Sequence, residues 1–117
     1  MNTLFIEYPK CTTCQKAKKW LTEHQVDFED RNISEENPTK EELEQWYKVS
    51  GLPLKKFFNT SGQLYRQMEL KEKLATMAES EMLELLASNG MLVKRPIVVQ
   101  GDCVLVGFKE AEWAERL

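Results

Sequence analysis

The sequence predicts an α/β fold: a β-α-β unit, a helical insertion at about residues 38–90, and a β-β-α ending, built on a four-stranded mixed sheet. Three observations predict it. The apolar run Leu4–Tyr8 leads through Pro9 into an amphipathic helix and then into the alternating run Val26–Ile33. Residues 38–90 carry helical spacing and caps but no strand pattern. Two β-branched runs flank Gln100-Gly101-Asp102, the composition of a hairpin turn.

Leu4 to Tyr8 has the length and composition of a strand, and Pro9 ends it because proline cannot donate to a ladder. Ala17, Trp20 and Leu21 recur at helical spacing, with Gln15, Lys16, Lys18 and Lys19 on the other side. Val26-Asp27-Phe28-Glu29-Asp30-Arg31-Asn32-Ile33 reads as a half-buried strand with Val26, Phe28 and Ile33 inward. Strand, helix and strand in so short a span form a β-α-β unit, so the two strands should run parallel.

Asn37-Pro38-Thr39 breaks the pattern, and Thr39-Lys40-Glu41-Glu42 is a capping box. The helix it opens runs through Leu43, Trp46 and Tyr47 and ends at Gly51 and Pro53. Leu54 to Phe58 is a short apolar turn or helix, and Asn59-Thr60-Ser61-Gly62 is a loop. Helix resumes from about Glu69 to Leu92, with Leu70, Leu74 and Met77 on one face. Ser80 is the expected N-cap of Glu81–Ser88, with Met82, Leu83, Leu85 and Leu86 buried, and Asn89-Gly90 the expected C-cap. These Met and Leu stripes read as core packing. Arg95–Val99 and Cys103–Val106 form the hairpin, Gly107 ends it, and Lys109–Leu117 is a last helix anchored by Trp113.

A chain of 117 residues predicts one domain, large enough for a core without disulfide staples. Its 42% hydrophobic and 30% charged content is ordinary for a globular protein. No run approaches the roughly eighteen apolar residues of a membrane span. The chain opens directly on a strand, so no signal peptide is expected. A net charge of −3 gives no general reason to bind nucleic acid. Three cysteines imply a reducing compartment rather than a disulfide scaffold.

Cys11-Thr12-Thr13-Cys14 opens the first helix. A thiol at a helix's first turn meets unpaired backbone N–H groups and the positive end of the dipole, so it loses its proton more readily. Cys14 lies about one turn on, on the same face, at a separation that suits a disulfide. The assignment is Cys11 as nucleophile and Cys14, deeper in the helix, as resolving thiol. Cys-x-x-Cys alone also fits half a zinc site or two inert core cysteines. A zinc site would need Cys103 and His24, which show no paired spacing, so no metal or other cofactor is expected. The strand before the motif and the helix after it favour redox chemistry. Cys103 reads as a buried strand residue, His24 as a helix-end residue, and Lys10, Lys16, Lys18 and Lys19 as a solvated face. Thr12 and Thr13 offer backbone N–H groups and hydroxyls to a bound anion or mixed disulfide.

Tyr8-Pro9-Lys10-Cys11-Thr12-Thr13-Cys14-Gln15-Lys16-Ala17, with Leu92-Val93-Lys94-Arg95-Pro96-Ile97-Val98-Val99, resembles the arsenate reductase/Spx family across essentially the whole chain. The resemblance implies a thioredoxin-like fold, a cytoplasmic location and a redox-active cysteine. It implies that Pro96 is cis and sets its segment against the Cys-x-x-Cys turn, and that Arg95 stands near Cys11. A guanidinium there would stabilise a thiolate and hold an oxyanion. Thr12, Thr13, Arg95 and Pro96 are thus the expected anion-binding residues.

The departures from the family divide its members. Its arsenate reductases resemble a single-cysteine design resolved by glutathione and glutaredoxin, whereas Cys14 here can resolve internally. The positions matching their two further arginines are Asn59 and Phe108, with Arg66 nearby in sequence. A tetrahedral oxyanion needs more than one guanidinium and a helix end. The Cys-x-x-Cys and Gly107-Phe108-Lys109-Glu110 resemble the Spx/MgsR branch, redox-sensing regulators that bind RNA polymerase. Gly51 falls roughly where that branch meets the polymerase α subunit, although a helix C-cap alone explains a glycine there. The chain stops soon after its last helix, without the longer tail some regulators carry.

The expected function is therefore a thiol–disulfide oxidoreductase using Cys11 and Cys14, followed by a redox-switched regulator, then arsenate reduction proper. The expected partners are a thiol reductant (thioredoxin, glutaredoxin or glutathione) or a protein dithiol, with the polymerase α subunit for the regulator. A monomer is expected.

Overall fold

A computed structural model describes residues 3–117. The sheet has the order β2-β1-β3-β4, formed by β1 (Thr3–Glu7), β2 (Glu29–Asn32), β3 (Ile97–Gln100) and β4 (Cys103–Val106). β1 pairs in parallel with β2, Phe5 opposite Asp30 and Glu7 opposite Asn32. β1 pairs antiparallel with β3, Ile6 opposite Ile97, and β3 antiparallel with β4. The mixed four-stranded sheet is the expected one, and it is thioredoxin-like.

Because side chains alternate along a strand, adjacent residues of β1 feed different cores. Phe5 packs with Ala17, Trp20 and Leu21 of α1 (Thr12–Glu23), with Val98 and Leu105, and with Trp113 of α6 (Glu110–Arg116). Ile6 packs on the other face with Ile33, Leu43, Trp46, Phe57, Phe58, Leu86 and Ile97. That second core is the insertion's: α2 (Lys40–Ser50), α3 (Gln63–Gln67), α4 (Leu70–Lys73) and α5 (Glu79–Ser88), with 3-10 turns at Leu54–Phe57, Leu74–Thr76 and Gly90–Leu92.

The Thr39 capping box is formed on both sides: Glu42 N–H donates to Thr39 Oγ1 (3.1 Å) and Thr39 N–H to Glu42 Oε1 (3.0 Å). The same carboxylate takes a bidentate pair from Arg31 of β2, at 2.8 and 3.0 Å. That pair ties the insertion's first helix to the sheet's edge. Gly51 ends α2 in the left-handed region, φ 69°.

Several expectations are corrected. β2 begins at Glu29, not Val26. Gln25 turns the chain at φ 57°, and the Val26 N–H is committed to the Leu21 carbonyl (3.0 Å), so Val26 and Phe28 pack half-buried from a connection. α5 starts at Glu79 with Ala78 as N-cap, because Met77 and Ala78 are extended; Ser80 lies inside the first turn, and Leu85 is half-buried. The helical run expected from Glu69 begins after it, since Glu69 is left-handed, and is broken where Met77 and Ala78 are extended. The expected C-cap of α5 falls on Asn89, without a left-handed Gly90. Asn89 is extended and its side chain accepts from Met91 N–H (2.9 Å), opening the next turn. Nor is the block wholly helical: Phe58 and Val93 form an isolated antiparallel bridge. Cys103 is half-buried on the edge strand rather than in the core.

Gly90 is required by close approach. A Cβ there would lie 2.7 Å from Asn37 Oδ1 and 2.8 Å from the Ile33 carbonyl oxygen. Gly90→Ala should therefore lower the stability by about 1–3 kcal/mol in denaturant unfolding, because a backbone carbonyl cannot step aside.

Candidate functional site

The site begins at the end of β1. Tyr8, Pro9 and Lys10 turn the chain, Cys11 N–H donates to the Tyr8 carbonyl (2.9 Å), and Gln15 Nε2 donates to the Pro9 carbonyl (2.9 Å). These bonds fix Cys11 as the N-cap of α1, with extended backbone. Cys11 is half-exposed; Cys14 is fully buried; both are free thiols.

Their environments drive the two apart. Burial pushes the Cys11 thiol up, but the Cys14 N–H and thiol, the Arg95 guanidinium and the Thr13 N–H outweigh it, and Cys11 is held below the ordinary 9.0. Cys14 is pushed up to about 12, chiefly by burial, against the Tyr8 N–H that faces its sulfur. One turn of helix thus holds one thiolate-forming sulfur and one that keeps its proton.

The second wall comes from the segment before β3. The Arg95–Pro96 peptide bond is cis, as the resemblance implies. The Asn59 N–H donates to the Leu92 carbonyl and the Lys94 N–H to the Phe57 carbonyl, both at 2.7 Å, so the loop after Phe58 lies along this segment. The Gly107 N–H donates to the Pro96 carbonyl (2.8 Å), and the Trp113 Nε1–H to the Gly107 carbonyl (3.2 Å). A cleft of about 400 Å³ results, lined by Cys11, Thr13, Asn59, Ser61, Gly62, Lys94, Arg95, Val106, Gly107, Phe108 and Lys109. Three of these are cationic and none is acidic. The Arg95 guanidinium lies 5.0 Å from the Tyr8 ring centroid, and its buried Nε and Nη1 have no hydrogen-bond partner.

Of the expected site residues, Cys11, Thr13 and Arg95 meet in the cleft, with Cys14 buried in the same turn. Thr12 is exposed and outside the lining; Pro96 is buried and acts through its carbonyl. Asn59 and Phe108 both line the cleft, whereas Arg66 lines a different one with Tyr65 and Glu69. His24 is the C-cap of α1, its ring stacked on Trp20 at 3.9 Å. Lys18 is not simply solvated: its Nζ lies 2.7 Å from Asp30 and 3.6 Å from Glu7. Sequence reasoning missed Lys94 and Lys109, although each adjoins a motif residue. It also missed Glu7, the lone acid in the apolar run before the cysteines. Among the described residues, no cluster of three or more His, Cys, Asp or Glu could hold a metal, and no helix is long and apolar enough to cross a membrane.

The ArsC family model matches residues 6–116. The chain is 57% identical to the uncharacterized protein YusI of Bacillus subtilis, over 99% of this chain and 98% of that one. It is 33% identical to the regulatory protein MgsR of Bacillus subtilis, over 92% of this chain and 84% of that one. Among solved structures, an ArsC family related protein from Bacteroides fragilis superposes with a TM-score of 0.95 at 57% identity, covering 98% of this chain and 97% of that one.

The asymmetry of the two thiols makes a direct test. Iodoacetamide should modify Cys11 at neutral pH at least about tenfold faster than Cys14 or Cys103 by peptide mapping, with a pH midpoint below 9.0. Arg95→Gln should raise that midpoint by about one pH unit. Equal rates at all three cysteines would overturn the assignment.

Proposed function

This chain belongs to the ArsC family, and on that premise we propose that it is a thiol–disulfide redox protein in which Cys11 attacks and Cys14 resolves. The observation that carries this is the pairing in one helical turn of a half-exposed, acidified thiol facing a cleft with a buried thiol that stays protonated. The Cys11 thiolate attacks one sulfur of a substrate disulfide, forming a mixed disulfide and expelling the other sulfur as a thiolate. Cys14 then attacks Cys11 and expels the bound half. The protein leaves as the Cys11–Cys14 disulfide, oxidised by two electrons, and the substrate as two thiols. A thiol reductant such as thioredoxin, glutaredoxin or glutathione, or a protein dithiol, restores it.

Arg95 holds the Cys11 thiolate and, with Lys94 and Lys109, gives the cleft a preference for substrates carrying a carboxylate beside the sulfur. Arsenate reduction proper fits less well. The cleft offers one guanidinium, and Asn59 and Phe108 stand where the resemblance implies two more. A second reading keeps the same dithiol but gives its readout to a partner: a redox-sensing regulator that docks on RNA polymerase through its α subunit. The similarity to MgsR favours it. Both readings belong to the cytoplasm, where a dithiol is kept reduced.

Cys14→Ser should accumulate mixed disulfides at Cys11, visible as intact-mass adducts, and Cys11→Ser should abolish disulfide turnover. Capture with Cys14→Ser separates the readings. Trapped small thiols or protein thiols support the oxidoreductase, and polymerase subunits recovered without a thiol bond support the regulator. The absence of any adduct in Cys14→Ser would remove Cys14 as the resolving residue.

A further inference from the structure

Glu7 is the last residue of β1 and is 3% exposed, although it is a carboxylic acid. Buried carboxylates are normally paired and hydrogen-bonded. Here Oε2 has no hydrogen-bond partner. The nearest cation, Lys18 Nζ, is 3.6 Å away and makes its close contact with Asp30 instead, at 2.7 Å. Lys18 of α1 and Asp30 of β2 are the charged groups that face Glu7 among the described residues.

The strand turns this carboxyl toward α1, the helix that carries the dithiol. Side chains alternate along β1, so Glu7 shares the face of Phe5, which packs against α1. Cys14 and Lys18 are four residues apart on α1, hence neighbours on one helix face, and Glu7 reaches Lys18. The Tyr8 N–H, in the peptide that immediately follows Glu7, faces the Cys14 sulfur. Glu7 and Cys14 therefore share the buried layer between β1 and α1, away from the cleft that Cys11 faces.

We propose that Glu7 is the general base that takes the proton from Cys14 when Cys14 resolves a mixed disulfide at Cys11. The inference rests on the dithiol function proposed above. Resolution needs a thiolate, and burial holds the Cys14 thiol at about 12, so roughly one molecule in a hundred thousand would be ionised at neutral pH. Part of that elevation comes from the neighbouring Cys11 and disappears once Cys11 is in a mixed disulfide; the larger cause, burial, does not. A base that takes the proton as the new sulfur–sulfur bond forms removes the need to populate that free thiolate. Burial, with Asp30 beside it, raises Glu7 from 4.5 to about 7 against the pull of Lys18, where a base is both ionised and strong enough to act at neutral pH. In the step, the Cys14 S–H bond breaks and its proton goes to the Glu7 carboxylate. As that proton leaves, the Cys14 sulfur bonds Cys11 Sγ, the bond from Cys11 to the substrate sulfur breaks, and the expelled thiolate takes its proton from solvent.

The test uses Ellman's reagent, an aromatic disulfide with two carboxylates. Attack by Cys11 releases one coloured thiolate, and resolution by Cys14 releases the second. In the intact chain, the second release normalised to the first should rise with pH around a midpoint near 7. Glu7→Gln, neutral and of the same shape, should slow the normalised second release by about a hundredfold at neutral pH and remove that midpoint. Glu7→Asp should restore part of the rate. Lys18→Met removes the cation that favours the carboxylate, so the midpoint should move upward; this variant keeps the proposal testable if Glu7→Gln folds poorly. Identical pH profiles for the intact chain, Glu7→Gln and Lys18→Met would overturn the role of Glu7 alone. No second release from the intact chain at any pH would overturn the dithiol function instead.

Discussion

The burial difference between Cys11 and Cys14 is the constraint on which the site depends. It arises from where a helix begins. Pro9 and Lys10 turn the chain out of β1, so α1 opens with Cys11 at its N-cap, at the end of a central strand. Three residues later the helix has turned inward and Cys14 is under the layer that holds Ala17 and Leu21. The N–H groups at the helix opening can reach the first sulfur and not the second. Two chemically identical side chains thereby acquire opposite proton affinities, with no metal or cofactor invoked. Moving the helix start by one residue would rotate the pair by about 100° and destroy the difference.

The insertion's contribution is positional. Its core packs on the sheet face opposite α1, through Ile6, Ile33, Ile97 and Val104. From there the Phe58–Val93 bridge and its flanking hydrogen bonds carry Asn59 and Ser61 around the sheet's end to face Cys11. Gly107 and Phe108, tied to Pro96 and Trp113, close the other side. The cleft is thus assembled from four stretches far apart in sequence, and its positive charge comes from Lys94, Arg95 and Lys109 with no acid to neutralise it. Such a field favours anionic substrates and also holds the Cys11 thiolate.

The sheet and its connections were legible in the sequence because they follow from local chemistry. Pro9 stops a strand, Thr39 and Glu42 cap a helix, and Gln100-Gly101-Asp102 closes a hairpin wherever they occur. What was not legible depends on residues that meet only in the fold. Ser80 has the composition of a cap, yet the extended Met77 and Ala78 start the helix earlier. Gly90 looks like a left-handed cap; it is held instead by the approach of Asn37 and Ile33. Val26 fits a strand by alternation, but its N–H is already taken by the end of α1. Within the site, the pattern singles out Cys11 and Cys14, and the family resemblance adds Arg95. The cleft's lysines could not be read this way, since a lysine on a predicted turn carries no sign of what faces it.

Glu7 and Lys18 illustrate the same limit with more at stake. Each alone reads as ordinary: an acid at a strand end, a lysine on a solvated helix face. Together with Asp30 they form a charge cluster that is one cation short of neutral when both carboxylates are ionised. Lys18 and Asp30 reach solvent while Glu7 is buried, so the shortfall falls on Glu7, whose carboxyl is the one that favours a proton. A fold selecting only for stability would do as well with an apolar residue at position 7, where Phe5 two residues earlier shows how readily this face takes one. A carboxyl that is costly to bury, raised toward neutrality, and turned toward the helix that carries a buried thiol is better explained by the chemistry of that thiol than by packing.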